Sequence, residues 1–151
     1  MKNSQVVPWW TWSSLLHGSL ALGAAILIDY FGLQLLGVRI EIFTGINYFN
    51  FTWFVALFLL PCLGGLVVPL LYGLGGKILA YFPPLPVLGI NYYLTMHDTA
   101  PLPAGSALMP LGWWGFFVIL AIEASAIGGV FGEIANKRIY GRDLPAPERK
   151  I

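Results

Sequence analysis

Charged side chains are scarce in this sequence. Lysine, arginine, aspartate and glutamate make up 10% of the 151 residues, and the formal net charge is +1. A soluble domain of this size carries about a quarter charged residues. So few charges cannot cover a water-facing surface, and the sequence has no basic stripe that would bind nucleic acid. The chain is therefore expected to lie against lipid and against other membrane-protein subunits.

Catalytic and metal-binding motifs are also missing. The sequence has one cysteine, Cys62, which lies in an apolar run. A single cysteine excludes an intrachain disulfide and a cysteine-based metal site. Residues 73–77 (GLGGK) lack the spacing and the following Ser or Thr of a phosphate-binding loop. Neither H-E-x-x-H nor G-x-S-x-G occurs. We therefore expect no metal, no resident cofactor apart from lipid, and no enzymatic activity of the chain alone, although it could belong to an enzyme complex as a non-catalytic subunit.

Apolar residues, by contrast, make up 58% of the chain, and the mean hydropathy is +0.76. They form three long runs, which predict an all-α integral membrane protein with transmembrane helices over about residues 13–37, 51–82 and 108–136. At 1.5 Å per residue, a run of about 25 residues extends about 37 Å and crosses a hydrocarbon core of about 30 Å with some tilt. Prolines and glycines inside the second run predict a kinked helix, with a re-entrant hairpin around 61–65 as the alternative.

The segments outside these runs complete a single transmembrane domain, residues 1–151. A polar N-terminus, residues 1–12, carries tryptophans suited to the headgroup zone (Trp9, Trp10 and Trp12). Residues 83–107 contain five prolines, which disfavour a regular helix and predict an ordered loop on the membrane surface. The polar tail, residues 137–151, is expected to be irregular.

Basic residues predict the orientation. Five of them lie in the tail, so the C-terminus is predicted to be cytoplasmic. Three spans then place the N-terminus outside, the loop 38–50 inside and the proline-rich loop outside. Lys2 favours an inside N-terminus, which four spans would satisfy, but no fourth apolar run is evident. The predicted location is the inner (cytoplasmic) membrane, as a multi-pass protein.

Small residues predict where the helices meet, because lipid provides no hydrophobic reason for them to associate. At about 100° per residue, one stripe lies on the first helix and one broad small face on the third. The two helices are expected to pack on each other or on an equally close neighbour. The packing residues are Gly18, Ala21, Ala25, Gly32, Ala121, Ser125, Gly128, Gly129 and Gly132.

Two carboxylates fall within the predicted spans. Asp29 lies on the small-residue side of the first helix, whereas Glu123 lies opposite the small face of the third. A charge at the bilayer centre costs about 2.5–3.5 kcal/mol on insertion scales, so Glu123 is expected to face protein. Each acid either fixes the register of assembly or forms a proton or ion site. With both outer helices running the same way, the two acids are expected at a similar depth.

The two histidines are weak candidates for a cofactor. His17 lies near the outer end of the first helix and His97 in the proline-rich loop. An imidazole could ligate haem, a chlorin or a metal, but nothing else at ligand spacing accompanies either one. Hydrogen-bonding histidines near the interface are the alternative.

The leading functional hypothesis is a small accessory subunit of a larger membrane complex that serves respiratory or photosynthetic energy conversion, for example electron transport. Its work would be to brace neighbouring helices, because the third helix needs protein on both sides. One alternative is a homo-oligomeric ion or small-solute transporter that uses Asp29 and Glu123. A second is a membrane subunit that binds haem, quinone or pigment near His17.

Overall fold

A computed structural model describes residues 12–139, and these are mostly helical. Three helices are long and apolar enough to cross a membrane, which confirms an all-α, multi-pass membrane protein. The helices are α1 (Trp12–Leu36), α2 (Phe51–Tyr72), α3 (Gly76–Leu79), α4 (Pro84–His97) and α5 (Leu111–Ile139), joined by a 3-10 turn (Ile46–Tyr48) and two short strands, β1 (Ile42–Phe43) and β2 (Ala107–Leu108). The expectations for Trp9, Trp10 and the end of the tail fall outside the described residues.

Helix α2 lies between the other two long helices. A Cβ added to Gly128 of α5 would lie 1.9 Å from the Cys62 carbonyl oxygen of α2, and one added to Gly65 would lie 1.9 Å from the Ser125 carbonyl oxygen. On its other side, α2 packs Leu60 against Gly32 of α1. The small faces of α1 and α5 therefore both pack against α2.

The segment from Gly76 to His97 runs back along α5 through the whole bundle. Lys77 lies near Glu133, and further along the segment the Tyr92 hydroxyl donates a hydrogen bond of 3.1 Å to the Met109 carbonyl. The order of these contacts makes the segment antiparallel to α5. It forms two short helices, α3 and α4, interrupted at residues 80–83.

The predicted direction of the outer helices is wrong. Strand β1 follows α1 and pairs antiparallel with β2, which precedes α5; Ile42 lies opposite Leu108. The end of α1 and the start of α5 therefore lie at one end of the bundle, and the two helices are antiparallel. Residues 12 and 139 share the opposite end. The same arrangement brings the loop 38–50 and the proline-rich segment together. The side of the membrane on which each terminus lies stays a prediction.

The segment 83–107 also differs from the predicted loop, because Pro84–His97 is a helix. Three of the five prolines lie at its N-terminal end, at the N-cap position (Pro83) and within the first turn (Pro84 and Pro86). A first turn has free N–H groups in any case, so the missing N–H of proline costs nothing there. Only the other two prolines, Pro101 and Pro103, lie in irregular chain.

The second apolar run is shorter as a helix than predicted. Helix α2 ends at Tyr72, and Gly73 and Gly75 follow with φ of +96° and +90°. Glycine adopts such positive values without the steric cost of a side chain, so the chain reverses here. Within α2, Val55–Leu59 form a π-helical turn, and Pro61 follows two residues after its end. A kink in the axis of α2 stays a prediction.

Candidate functional site

Asp29 is buried in the middle of the bundle. Its side chain lies on the face of α1 that meets α2, and the residue is 3% exposed. Neither carboxylate oxygen has a hydrogen-bond partner among residues 12–139. The close approach requires Gly64 on α2, where an added Cβ would lie 2.8 Å from Asp29 Oδ1. A buried polar group without a partner is expensive, so this position is a candidate site and not ordinary packing.

A small cavity lies beside Asp29. Its volume is about 10 Å³, which is about the space of one water molecule. Asp29 is the one lining residue with a side-chain oxygen. The others are Leu33, Ile40, Ala56, Leu60, Pro61, Pro84, Val87, Leu88 and Ala121. The cavity is therefore an apolar chamber with a single carboxyl group.

Two interruptions of helical hydrogen bonding border this chamber. On α2, Pro61 follows the π-helical turn and has no N–H to donate to the preceding turn. On the returning segment, Pro84 cannot donate to the Ala80 carbonyl four residues earlier. The Ser125 hydroxyl of α5 donates to that carbonyl instead, at 2.6 Å. Ser125 thus satisfies a group that the proline leaves free.

A polar groove of about 390 Å³ lies at the β1–β2 end of the bundle, between α1 and α4. Arg39 Nε lies 2.9 Å from Glu41 Oε1, and Arg39 Nη2 donates to Thr95 Oγ1 at 2.6 Å. Thr95 Oγ1 also lies 3.2 Å from the same Glu41 oxygen. Glu41 is buried, whereas Arg39 is half-exposed. Sequence analysis did not select these residues, because Thr95 is 54 positions from Glu41 and no local pattern joins them.

Glu123 lies on the outside of the bundle. It is exposed near the middle of α5 and lines a shallow groove of about 370 Å³. The groove is otherwise apolar and includes Cys62 of α2, Leu120 and Ile127. Within the described part of the chain, no hydrogen bond or ion pair reaches Glu123. Cys62 and Gly64 lie within one turn of α2, so the two acids lie at a similar depth but on different sides.

The two histidines lie at opposite ends of the bundle and are exposed. His17 Nδ1 lies 2.6 Å from the Ser13 carbonyl oxygen, and His97 Nδ1 lies 2.9 Å from that of Tyr93. Each contact is made within the histidine's own helix. Between residues 12 and 139, no three side chains of the metal-binding types are grouped to hold a metal ion.

The remaining predicted residues line the helix contacts. Gly18, Ala21 and Ala25 of α1 are buried, and Gly32 is partly buried. All five small residues of α5 that we selected, Ala121, Ser125, Gly128, Gly129 and Gly132, are buried. Sequence analysis overlooked Glu133, a buried carboxylate 3.9 Å from Lys77 and 3.5 Å from Lys137. The spacing of Glu133 and Lys137, four residues apart in one helix, is a signal that could have found it.

No family model matches the chain, and comparisons with the curated proteins and with the solved structures found no match. Function is therefore argued from the residues of the chain itself.

Proposed function

We propose that this protein is an accessory subunit of a larger membrane complex and that it docks through the outer face of α5. The observation that carries the proposal is Glu123, an exposed carboxylate without a described partner near the middle of a helix long and apolar enough to span the membrane. Leaving such a group in lipid costs about 2.5–3.5 kcal/mol even on insertion scales. A partner helix that supplies a hydrogen-bond donor removes that cost.

The charge distribution favours a different protein over a second copy of this chain. The described lysines and arginines are Arg39, Lys77, Lys137 and Arg138. They lie at the ends of the bundle, and so do both histidines. A second copy therefore offers no described cationic side chain at the depth of Glu123. The partner is expected to carry a basic or amide side chain near the middle of one of its membrane helices.

Orientation forms part of the proposal. Lys77, Lys137 and Arg138 lie at the bundle end that also holds residues 12 and 139, while Arg39 lies at the other end. By the positive-inside rule, the end with three basic residues faces the cytoplasm. Residues 12 and 139 then face the cytoplasm of a cell with this protein in its inner membrane. No residue of the chain points to a particular kind of complex, so the proposal is limited to the docking role.

The placement of the two acids offers no support for the transporter alternative. Asp29 faces the interior against α2, whereas Glu123 faces outwards. The two acids of one chain therefore do not form a shared coupling site.

Cys62 allows a direct test, because it is the only cysteine and lines the same groove as Glu123. A photoreactive thiol reagent attached to Cys62 in native membranes should crosslink one partner protein in a fixed ratio. Glu123→Ala should abolish the crosslink, because the remaining groove has no polar anchor. Leu27→Ala, a truncation at an exposed position on α1, should leave the crosslink unchanged.

The variant Glu123→Gln distinguishes the chemistry of the partner. If the partner donates to a neutral acid, the amide should keep the crosslink, and if it carries a positive charge, the crosslink should be lost. A crosslink only to a second copy of this chain contradicts the proposal. So does an unchanged crosslink in Glu123→Ala.

A further inference from the structure

The interior carboxylate Asp29 has no role in the docking proposal. It is 3% exposed, has no described hydrogen-bond partner, and borders a chamber about the size of one water molecule. We infer that Asp29 is a proton-binding site that exchanges its proton through the polar groove formed by Arg39, Glu41 and Thr95. The inference rests on the interior of this chain alone and does not depend on the docking of α5.

The lining of the chamber identifies the proton as the ligand. Hard cations such as Ca²⁺ and Mg²⁺ bind six or more oxygen ligands. Asp29 is the one side chain around the chamber that carries an oxygen, and the space holds about one water molecule. A metal cation could not complete its coordination there. A proton needs only the carboxylate oxygen itself, and its binding removes the charge that the apolar surroundings disfavour.

No charged group lining the chamber compensates the carboxylate. The lining residues from α2, α4 and α5 are apolar, and so is Ile40 from the loop after α1. The charged side chains nearby line the groove and not the chamber; they are Arg39, Glu41 and Asp98. Arg39 and Glu41 form an ion pair with each other at 2.9 Å, and neither forms a hydrogen bond with Asp29. The equilibrium protonation of Asp29 is therefore set by its own burial, and access from the groove sets only the rate of proton exchange.

Leu33 separates the chamber from the groove. It lines both spaces, is 5% exposed, and follows Asp29 by four residues on α1. Four residues of α-helix rise about 6 Å, which is the distance of one or two water molecules. On the groove side, Gln34, Asn91 and Thr95 provide hydrogen-bonding groups. A movement of the Leu33 side chain would join the two spaces and let water reach the carboxyl group.

Infrared difference spectroscopy of the purified chain in lipid nanodiscs tests this inference. A protonated carboxylic acid shows a carbonyl stretch separate from that of a carboxylate, and the stretch shifts when deuterium replaces the proton. We expect such a band at neutral pH. Asp29→Asn should remove it, and Glu123→Gln should leave it in place. If Asp29→Asn does not fold, ¹³C labelling of aspartate carboxyl groups in the natural sequence should shift the band.

The route is tested by the rate of deuterium exchange at that band. Leu33→Ala should accelerate exchange by about tenfold, which corresponds to a barrier lower by about 1.4 kcal/mol. Leu35→Ala is the matched control, because Leu35 is 88% exposed on the same helix and lines neither space. A band that is absent, or insensitive to the aspartate label, overturns the proton site. Equal exchange rates in Leu33→Ala and the natural sequence overturn the route.

Discussion

The contact between α2 and α5 is so close that one methyl group should disrupt it. In Gly128→Ala the new Cβ would lie 1.9 Å from the Cys62 carbonyl oxygen, whereas real Cβ contacts essentially never fall below 3.0 Å. The difference, 3.0 − 1.9 = 1.1 Å, is the least distance by which the two backbones must separate. Because a backbone oxygen cannot rotate away like a flexible side chain, the whole helix contact has to move.

The cost follows from the forces that hold membrane helices together. Helix association in lipid depends on van der Waals packing, and a gap of about 0.5–1 Å loses about a quarter to a half of that attraction. Overpacking in protein interiors costs typically about 1–3 kcal/mol. We expect Gly128→Ala to lower the free energy of unfolding by about 2–3 kcal/mol, in the upper part of that range.

Titration with a denaturing detergent measures this loss, with helicity followed by circular dichroism and opening followed by reaction of Cys62 with a fluorescent thiol reagent. Gly115→Ala is the control on the same helix, because nothing lies within 4 Å of its added Cβ. It should be as stable as the natural sequence or more stable, since alanine is the better helix former by about 1 kcal/mol. Equal stability of Gly128→Ala and Gly115→Ala would refute the close packing.

Two further predictions concern hydrogen bonds. Ser125→Ala leaves the buried Ala80 carbonyl without its donor at 2.6 Å and should lower the free energy of unfolding by about 1 kcal/mol in the same titration. Ser106→Ala removes an exposed hydrogen bond of equal length and should change the stability little. Equal effects of the two substitutions would contradict the role of Ser125. Burial, reinforced by the Glu41 carboxylate, raises the pKa of the Tyr48 phenol above its ordinary value of 10.0. Stability should therefore be lost as the pH rises above 10, and Tyr48→Phe should remove this part of the loss; an unchanged alkaline profile would contradict the prediction.

Helical periodicity predicted the outer surface of α5 well, because α5 is one helix from Leu111 to Ile139. At 100° per residue, Glu123 falls opposite the small residues, and the structure places it outside while Ser125 and Gly128 are buried. The same reasoning placed Asp29 on the inner side of α1. It could not show that Asp29 lacks a partner, because that depends on which side chains of α2 and α4 face it.

The returning segment could not be recognised by hydropathy. A span appears as about 20 consecutive apolar residues, but Gly76–His97 is divided by Pro83 and Pro84. Sequence analysis therefore assigned its first part to the second span and the rest to a surface loop. The interruption is tolerated because the segment lies against α5, where Ser125 supplies the missing donor. That compensation comes from a residue 45 positions away, which no local pattern reveals.

The central position of α2, by contrast, was encoded in two adjacent residues. Successive residues of a helix differ by about 100° in direction, so two adjacent glycines allow other helices to approach closely on two different sides. Gly64 faces α1, where an added Cβ would lie 2.8 Å from Asp29 Oδ1, and Gly65 faces the Ser125 backbone of α5. Sequence analysis used both glycines as evidence for a kink or, alternatively, a re-entrant hairpin. A pair of adjacent glycines in an apolar helix also predicts two close neighbours, and here it identifies the helix on which both small faces meet.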